Sequence, residues 1–198
     1  GGLWGRAAHL CSGAFDPRHG VNVRVGGCMS LVERAASAWR ESLYFSEAKR
    51  LDEAVEGELG PGIEREGHTG TQPDKVEMRG GKLLGGPEAS GTVCEIGFNS
   101  GHSSLNWLLS TGPRVRVLSF DIGDHPYVHL ARDYLTELFP GRLEVILGDS
   151  TDTVPAFAAA AMASGEEVGV CNLLFVDGDH SKQGALEDIR NLGGMRNR

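Results

Sequence analysis

The stretch Val93-Cys94-Glu95-Ile96-Gly97-Phe98-Asn99-Ser100-Gly101-His102-Ser103-Ser104 decides the fold of this chain. An apolar strand pattern leads into an acid, then into two glycines four residues apart, and then into a helix start. Gly97 allows a sharp turn and a close approach of the backbone to a ligand. A helix that opens near Gly101 presents free N–H groups and a positive dipole end to an anion. The pattern E-x-G-x-x-x-G therefore predicts a nucleotide-type site at the end of a strand, distinct from the G-x-G-x-x-G of dinucleotide folds.

Strand and helix patterns alternate downstream of this stretch. The predicted strands are 92–96, 115–120, 143–147 and 171–176, and the predicted helices are 102–110, 126–139, 151–164 and 181–191. Such alternation is typical of parallel strands joined by right-handed crossovers. We therefore predict an α/β fold, with a Rossmann-like parallel sheet and flanking helices.

Three regions divide the chain. Residues 1–29 are Gly-rich and aperiodic, and we expect them to be poorly ordered. Residues 30–91 combine an N-terminal helix, over about 31–57, with a Gly-rich linker that has a short helix at Pro73–Met78. The core occupies 92–198, and no apolar strand pattern follows its last helix, so we expect an incomplete core. Its unpaired sheet edge favours association, as in a homodimer, or instability.

Composition excludes several classes of protein. The net charge of −8 offers no basic face for nucleic acid. No apolar run is long enough to span a membrane, so no membrane partner is expected. The four cysteines form no C-x-x-C pair, which argues against a zinc or redox motif. Cys94 and Cys171 are expected to be small buried apolar residues of a protein in a reducing, cytoplasmic compartment.

Acidic residues lie at the ends of all four predicted strands: Glu95, Asp121, Asp149 and Asp177. Ligands of parallel α/β sheets bind outside the carboxyl ends of the strands. Asp121 lies 20 residues after Gly101, where a carboxylate can accept the ribose hydroxyls of a nucleoside. Asp149 can accept a hydrogen bond from an adenine amino group. Helix capping is the alternative for both acids, and we favour the ligand roles because Asp124 and Ser150 compete for the caps.

The charge of Glu95 selects among cofactors. A carboxylate beside the glycine turn repels a pyrophosphate and attracts a ligand that carries an ammonium and a sulfonium group. S-adenosylmethionine carries both, and its carboxylate suits the helix N-terminus near His102–Ser104. This cofactor is therefore favoured over ATP and over the NAD of an oxidoreductase, for which the third glycine is also missing.

The stretch from Cys94 to Ser103 resembles motif I of the class I S-adenosylmethionine-dependent methyltransferases. Phe175-Val176-Asp177-Gly178-Asp179-His180-Ser181, followed by Gly184 and Asp188, resembles the VDGDHS-type fourth strand and helix of a branch that contains small-molecule O-methyltransferases. The resemblance covers about 92–192. It implies methyl transfer to a small-molecule acceptor at a hydroxyl. The alternative is a non-catalytic or truncated remnant that binds the cofactor without turnover.

The resemblance also assigns roles to residues. It implies a cofactor site made of Glu95, Gly97, Phe98, Asn99, Ser100, Gly101, Ser103, Asp121, Gly148, Asp149, Ser150 and Asp177. In metal-dependent members the acid after the fourth strand is a metal ligand, which corresponds to Asp177 and to Mg²⁺ as cofactor. Asp177 and His180 are the expected catalytic residues, with His180 as a base or acceptor-orienting group or, alternatively, a helix cap. We expect three other histidines to lie at the surface or in helix caps: His102, His125 and His129.

Overall fold

A computed structural model describes residues 31–60, 90–164 and 170–196, with side chains from Leu43 onward in the first segment. Its elements are α1 (Leu31–Leu59), β1 (Ser90–Ile96), α2 (His102–Ser110), β2 (Arg114–Asp121), α3 (Pro126–Leu138), β3 (Leu143–Leu147), α4 (Ser150–Ala163), β4 (Leu173–Val176) and α5 (Lys182–Gly193). The predicted alternation of strands and helices is confirmed. The predictions for 1–29 and for Pro73–Met78 lie outside the described residues.

The four strands form one parallel sheet in the order β3-β2-β1-β4. Val93 of β1 lies in register with Val117 of β2 on one side and with Leu173 of β4 on the other. After β1, the chain adds β2 and then β3 on one side of β1, and it adds β4 on the other side. This reversal of strand order opens a crevice at the carboxyl ends of β1 and its neighbours, the usual ligand position in open α/β sheets. The predicted Rossmann-like sheet is confirmed.

Helices cover both faces of the sheet, as parallel strands require. On one face the core combines side chains of α1, α2 and α3 with alternate strand residues such as Val93 and Val117. On the other face Cys94, Ile96 and Phe120 pack with side chains of α4 and α5. Because successive strand residues point to opposite faces, β1 is buried on both sides. The strand is thereby held rigidly beneath the turn that follows it.

Helix α1 packs against α2 and α3. Its buried stripe consists of Tyr44, Ala48, Leu51 and Val55, each at most 4% exposed, which confirms the predicted helical spacing. This packing brings α1 beside the first turn of α2, although a long stretch of sequence separates the two helices. Among the helices that the structure describes, none is long and apolar enough to cross a membrane.

Cys94 and Cys171 form a disulfide that joins β1 to the segment before β4. Both residues are fully buried, as expected, but the disulfide between them was not predicted. Disulfides are rare in reducing compartments, so the cysteines no longer support a cytoplasmic location. The disulfide was missed because partners 77 residues apart become neighbours only when β4 pairs with β1.

The backbone before β4 also contacts the end of the described chain. Cys171 donates its N–H to the carbonyl of Met195 at 3.0 Å and forms an isolated parallel bridge with Arg196. Strand β4 begins only at Leu173, so it is shorter than the strand predicted at 171–176.

Candidate functional site

The turn after β1 brings three strand ends together. Gly97 has φ +99° and donates its N–H to the carbonyl of Phe120 at 2.8 Å. A Cβ placed on Gly97 would lie 2.1 Å from the carbonyl oxygen of Asp177. Only glycine fits between these backbones without displacing them. The predicted close backbone approach at Gly97 is thus present, and it is made to the loop after β4.

The loop from Asn99 to Gly101 is held in an uncommon conformation. Asn99 has φ 51° and Gly101 has φ 79°, both in the left-handed region. The Asn99 N–H donates to Oδ2 of Asp121 at 2.8 Å. The side-chain oxygen Oδ1 of Asn99 is buried and has no hydrogen-bond partner among the described residues. The loop is therefore pinned through its backbone, while one buried acceptor is left for a ligand donor.

Asp121 joins the ends of β1 and β2. Its Oδ2 accepts from Asn99 and its Oδ1 accepts from the Gly123 N–H, also at 2.8 Å. An ionised carboxylate offers about four acceptor positions, so capacity remains for ribose hydroxyls. The predicted competitor Asp124 does not cap α3. The N-cap residue is His125, which makes no capping hydrogen bond through its side chain.

Glu95 is fully buried and accepts hydrogen bonds from four side chains. Its Oε1 accepts hydrogen bonds from three hydroxyls, those of Ser104 at 2.5 Å, Ser119 at 3.0 Å and Ser103 at 3.3 Å. Its Oε2 accepts a hydrogen bond from Nε1 of Trp107 at 3.1 Å. These donors satisfy the buried carboxyl oxygens of Glu95. Glu95 therefore ties β1 to β2 and α2 beneath the turn. Its direct contact with a cofactor ammonium stays a prediction.

Asp149 caps helix α4, contrary to the expectation that Ser150 would. Its Oδ1 accepts from the hydroxyl of Thr151 at 2.7 Å and from the N–H of the same residue at 2.8 Å. Both bonds hold the pKa of the Asp149 carboxyl below its ordinary value. Ser150 instead donates to Oδ1 of the buried Asp188 at 2.6 Å. The capping alternative for Asp149 was right, because Asp149 is the residue with non-helical backbone angles.

The β3 end contributes backbone to the same region. Gly148 has φ 135° and donates its N–H to the carbonyl of Asp121 at 2.8 Å. This bond places the start of α4 beside the end of β2. The predicted adenine-edge segment, 148–150, is therefore next to the predicted ribose ligand, Asp121.

Three exposed residues, Asp177, Asp179 and His180, follow β4. The Asp179 carboxylate accepts hydrogen bonds from the N–H and the hydroxyl of Ser181, each at 2.8 Å. Both bonds lower the pKa of the Asp179 carboxyl, and the bond from the backbone N–H has the larger effect. Ser181 caps α5 by accepting the Gly184 N–H at 3.0 Å. The capping alternative for His180 is therefore not supported. Across the segments that the structure describes, no group of three His, Cys, Asp or Glu residues is arranged to hold a metal, so the predicted Mg²⁺ at Asp177 is not supported either.

Other predicted site residues face the protein interior. Phe98 is 1% exposed within the core and Ser100 is 2% exposed, so the side chains of both residues are buried. His102, expected at the surface or in a cap, is 2% exposed. Its Nε2 lies 2.9 Å from Oδ1 of Asp52, and its Nδ1 lies 3.1 Å from Ser100 Oγ. Sequence reasoning missed Asp52, because only the packing of α1 brings it close.

A cavity of about 290 Å³ lies away from these residues. It is lined by the amino-terminal parts of β1, β2 and β3 and by α4, through residues that include Thr92, Arg116, Glu144 and Phe157. The strand-end acids take no part in it, and ligands of such sheets bind at the opposite, carboxyl edge. The candidate site therefore remains the strand-end cluster.

Comparison with known protein families identifies the family of this chain. A family model described as a methyltransferase domain matches residues 94–195, slightly more than half of the chain. The matched segment begins within β1 and runs through α5, so it contains all the strand-end residues, whereas α1 lies outside it. No curated protein matches the chain. The chain belongs to this methyltransferase domain family.

Proposed function

We propose that this chain binds S-adenosylmethionine at the turn after β1 and transfers its methyl group to a hydroxyl of a small-molecule acceptor. Membership of a methyltransferase domain family supports the reaction class. The observation that carries the proposal is the buried, unpartnered Oδ1 of Asn99 in a loop pinned by Asp121. A buried acceptor without a partner is costly, and the ammonium of an amino-acid-bearing cofactor is a suitable donor for it.

The remaining residues suit the other parts of this cofactor. The first N–H groups of α2 follow Gly101, an N-cap without a capping side chain, and they favour the cofactor carboxylate. Asp121 keeps acceptor capacity for the ribose hydroxyls. Asp149, with Gly148 and Ser150 beside it, would border the adenine.

The acidic strand ends favour a cationic ligand. The carboxyl side chains of Asp121, Asp149 and Asp177 lie at three strand ends, and carboxylates attract a positively charged group and repel a phosphate. When bound, the cofactor supplies a methyl group on a positively charged sulfur. Its product is a neutral thioether, which these carboxylates attract less. The charge pattern thus supports this cofactor over a nucleotide with a pyrophosphate.

His180 is our candidate for the proton acceptor of the reaction. It is exposed in the loop after β4, and its side chain is free of the capping role that Ser181 fills. A neutral imidazole takes the proton of the acceptor hydroxyl as the oxygen attacks the methyl group. With the cofactor bound, the acceptor oxygen would take the methyl group from the sulfur, and His180 would hold the proton that the hydroxyl releases.

Calorimetry with S-adenosylhomocysteine tests the cofactor site. We expect saturable binding, weakened about tenfold or more by Asp121→Ala because acceptors for the ribose are lost. Asp124→Ala is the matched control, since this exposed residue lies in the same loop. The absence of binding at high micromolar ligand, or equal weakening by both substitutions, would overturn the proposal.

Turnover is tested with radiolabelled S-adenosylmethionine and a panel of phenols, catechols and aliphatic alcohols. His180→Gln should lower kcat about 100-fold while the affinity for S-adenosylhomocysteine stays unchanged. The exposed His129→Gln serves as control. Methylation of amines but not hydroxyls, or an unchanged kcat for His180→Gln, would refute the assignment.

A further inference from the structure

The cofactor loop is held on a second side by helix α1. Ser100, at the centre of the loop, has its hydroxyl 3.1 Å from Nδ1 of His102. Nε2 of His102 lies 2.9 Å from Oδ1 of Asp52, which belongs to α1. Ser100 and His102 are both 2% exposed, and the Asp52 side chain is 19% exposed. A continuous path of hydrogen bonds therefore runs from α1 into the loop.

The chemistry of the three groups determines the direction of these bonds. The carboxylate of Asp52 only accepts, so Nε2 of His102 carries the proton that it donates. In the neutral imidazole Nδ1 is then an acceptor, and the hydroxyl of Ser100 donates to it. For a neutral imidazole, Asp52 thereby selects the tautomer of His102, and this tautomer orients the hydroxyl of Ser100.

The loop has a conformation that needs such support. Asn99 and Gly101 flank Ser100, and both have left-handed backbone angles. A non-glycine residue keeps such an angle only when its surroundings hold it there. Asp121 holds the Asn99 N–H on the β2 side, whereas His102 holds the Ser100 side chain on the α1 side.

We propose that Asp52 and His102 are positioning residues for the cofactor loop, so that α1 is a functional part of the cofactor site. The proposal rests on the proposed function for its ligand, and it extends the site beyond the matched segment 94–195. Neither residue needs to touch the cofactor. Their effect passes through Ser100 to the backbone of Asn99 and Gly101.

The first test measures S-adenosylhomocysteine affinity by calorimetry at a temperature where circular dichroism shows each variant to be folded. Asp52→Leu should weaken binding about tenfold, because a charge-assisted hydrogen bond and the tautomer preference are both lost. Asp52→Asn retains an acceptor for Nε2 and should recover most of the affinity. Glu53→Gln, an exposed neighbour on α1 that pairs with Lys49, should bind as the wild type does.

Coupling separates positioning from simple stabilisation. Ser100→Ala and Asp52→Leu should weaken binding by amounts that do not add in the double variant, because both break the same path. A merely structural Asp52 would lower the melting temperature and leave the dissociation constant unchanged. That result, or full additivity, would overturn the proposal. If Asp52→Leu fails to fold, Ser100→Ala and His102→Gln form the equivalent cycle.

A second measurement needs no ligand. In hydrogen exchange followed by mass spectrometry, Asp52→Asn and Asp52→Leu should raise exchange of amides 99–103 in graded order, with Asp52→Leu about tenfold faster than wild type. Glu53→Gln should leave these amides unchanged. If the wild type binds no S-adenosylhomocysteine but the loop responds in this way, the proposed function falls and the positioning role stands. Unchanged exchange in the Asp52 variants would refute the positioning role by itself.

Discussion

Replacing Gly97 by alanine should separate the ends of β1 and β4. The new Cβ would begin 2.1 Å from the Asp177 carbonyl oxygen, and real contacts of this kind do not fall below 3.0 Å, so the backbones must move apart by roughly 0.9 Å. The obstructing atoms belong to the backbone, so no side-chain rotation relieves the clash. The movement also stretches the hydrogen bond from Asp177 N–H to the Ile96 carbonyl, now 2.9 Å.

Three contributions set the size of the effect. Alanine at φ near +99° costs about 1–3 kcal/mol. Loss of the backbone hydrogen bond from Asp177 leaves the carbonyl of the buried Ile96 without its donor, which costs about 1–3 kcal/mol more. Alanine also lowers the conformational entropy of the unfolded chain, which offsets about 0.4–1 kcal/mol of this destabilisation. We therefore expect Gly97→Ala to lower the free energy of unfolding by about 3 kcal/mol.

Urea denaturation followed by circular dichroism measures this change, and calorimetry with S-adenosylhomocysteine reports on the site in parallel. Gly57→Ala is the control, because Gly57 lies within α1 with nothing within 4 Å of an added Cβ. That substitution should stabilise the protein by about 0.5–1 kcal/mol. A loss below about 1 kcal/mol for Gly97→Ala, with unchanged ligand affinity, would refute the reasoning from close approach.

Three further predictions concern other parts of the molecule. Trp107→Phe removes the indole donor to Glu95 and should cost about 2 kcal/mol in urea denaturation, whereas an unchanged midpoint would show that the carboxylate finds another donor. The Cys94→Ala/Cys171→Ala double variant should lose about 4 kcal/mol, because the disulfide closes a loop of 77 residues; equal stability of wild type with and without reductant would contradict this. The pKa of the Asp149 carboxyl, measured by carbon NMR, should lie below 3.8, so its contribution to stability is complete above about pH 3.8 and is lost as pH falls through the lower pKa of the folded state. Asp149→Asn, which can still cap the helix, should abolish this pH-dependent part of the stability. A pKa of Asp149 at or above 3.8 would disprove the cap.

Features that depend on neighbouring residues were predictable from the sequence. The alternation of strands and helices follows from local apolar periodicity, and the spacing of Tyr44, Ala48, Leu51 and Val55 marks the buried face of α1. The glycines at 97 and 101 indicate backbone angles that other residues rarely adopt, and both angles are positive. These signals lie within a few residues of the feature that they predict.

Features that depend on distant partners were not predictable. Glu95 meets Ser119 across 24 residues, and His102 meets Asp52 across 50. Nothing in the spacing of either pair distinguishes it from chance, because α1 and β2 reach these positions only through packing. The Asp149 cap is a local exception: both Asp149 and Ser150 are good capping residues, and the exact helix start decided between them.

The shape of the loop after β1 is thus a tertiary property, although its sequence is recognisable by itself. Gly97 is enclosed by the backbone after β4, Asn99 is held by the carboxylate at the end of β2, and Ser100 is linked through His102 to α1. Each contact comes from a different element, so loss of one leaves the other two in place. A graded loss of cofactor affinity should therefore follow single substitutions. Substitution of Asp52 acts directly on one of these contacts only, the one through His102, which makes its effect separable from damage to the sheet.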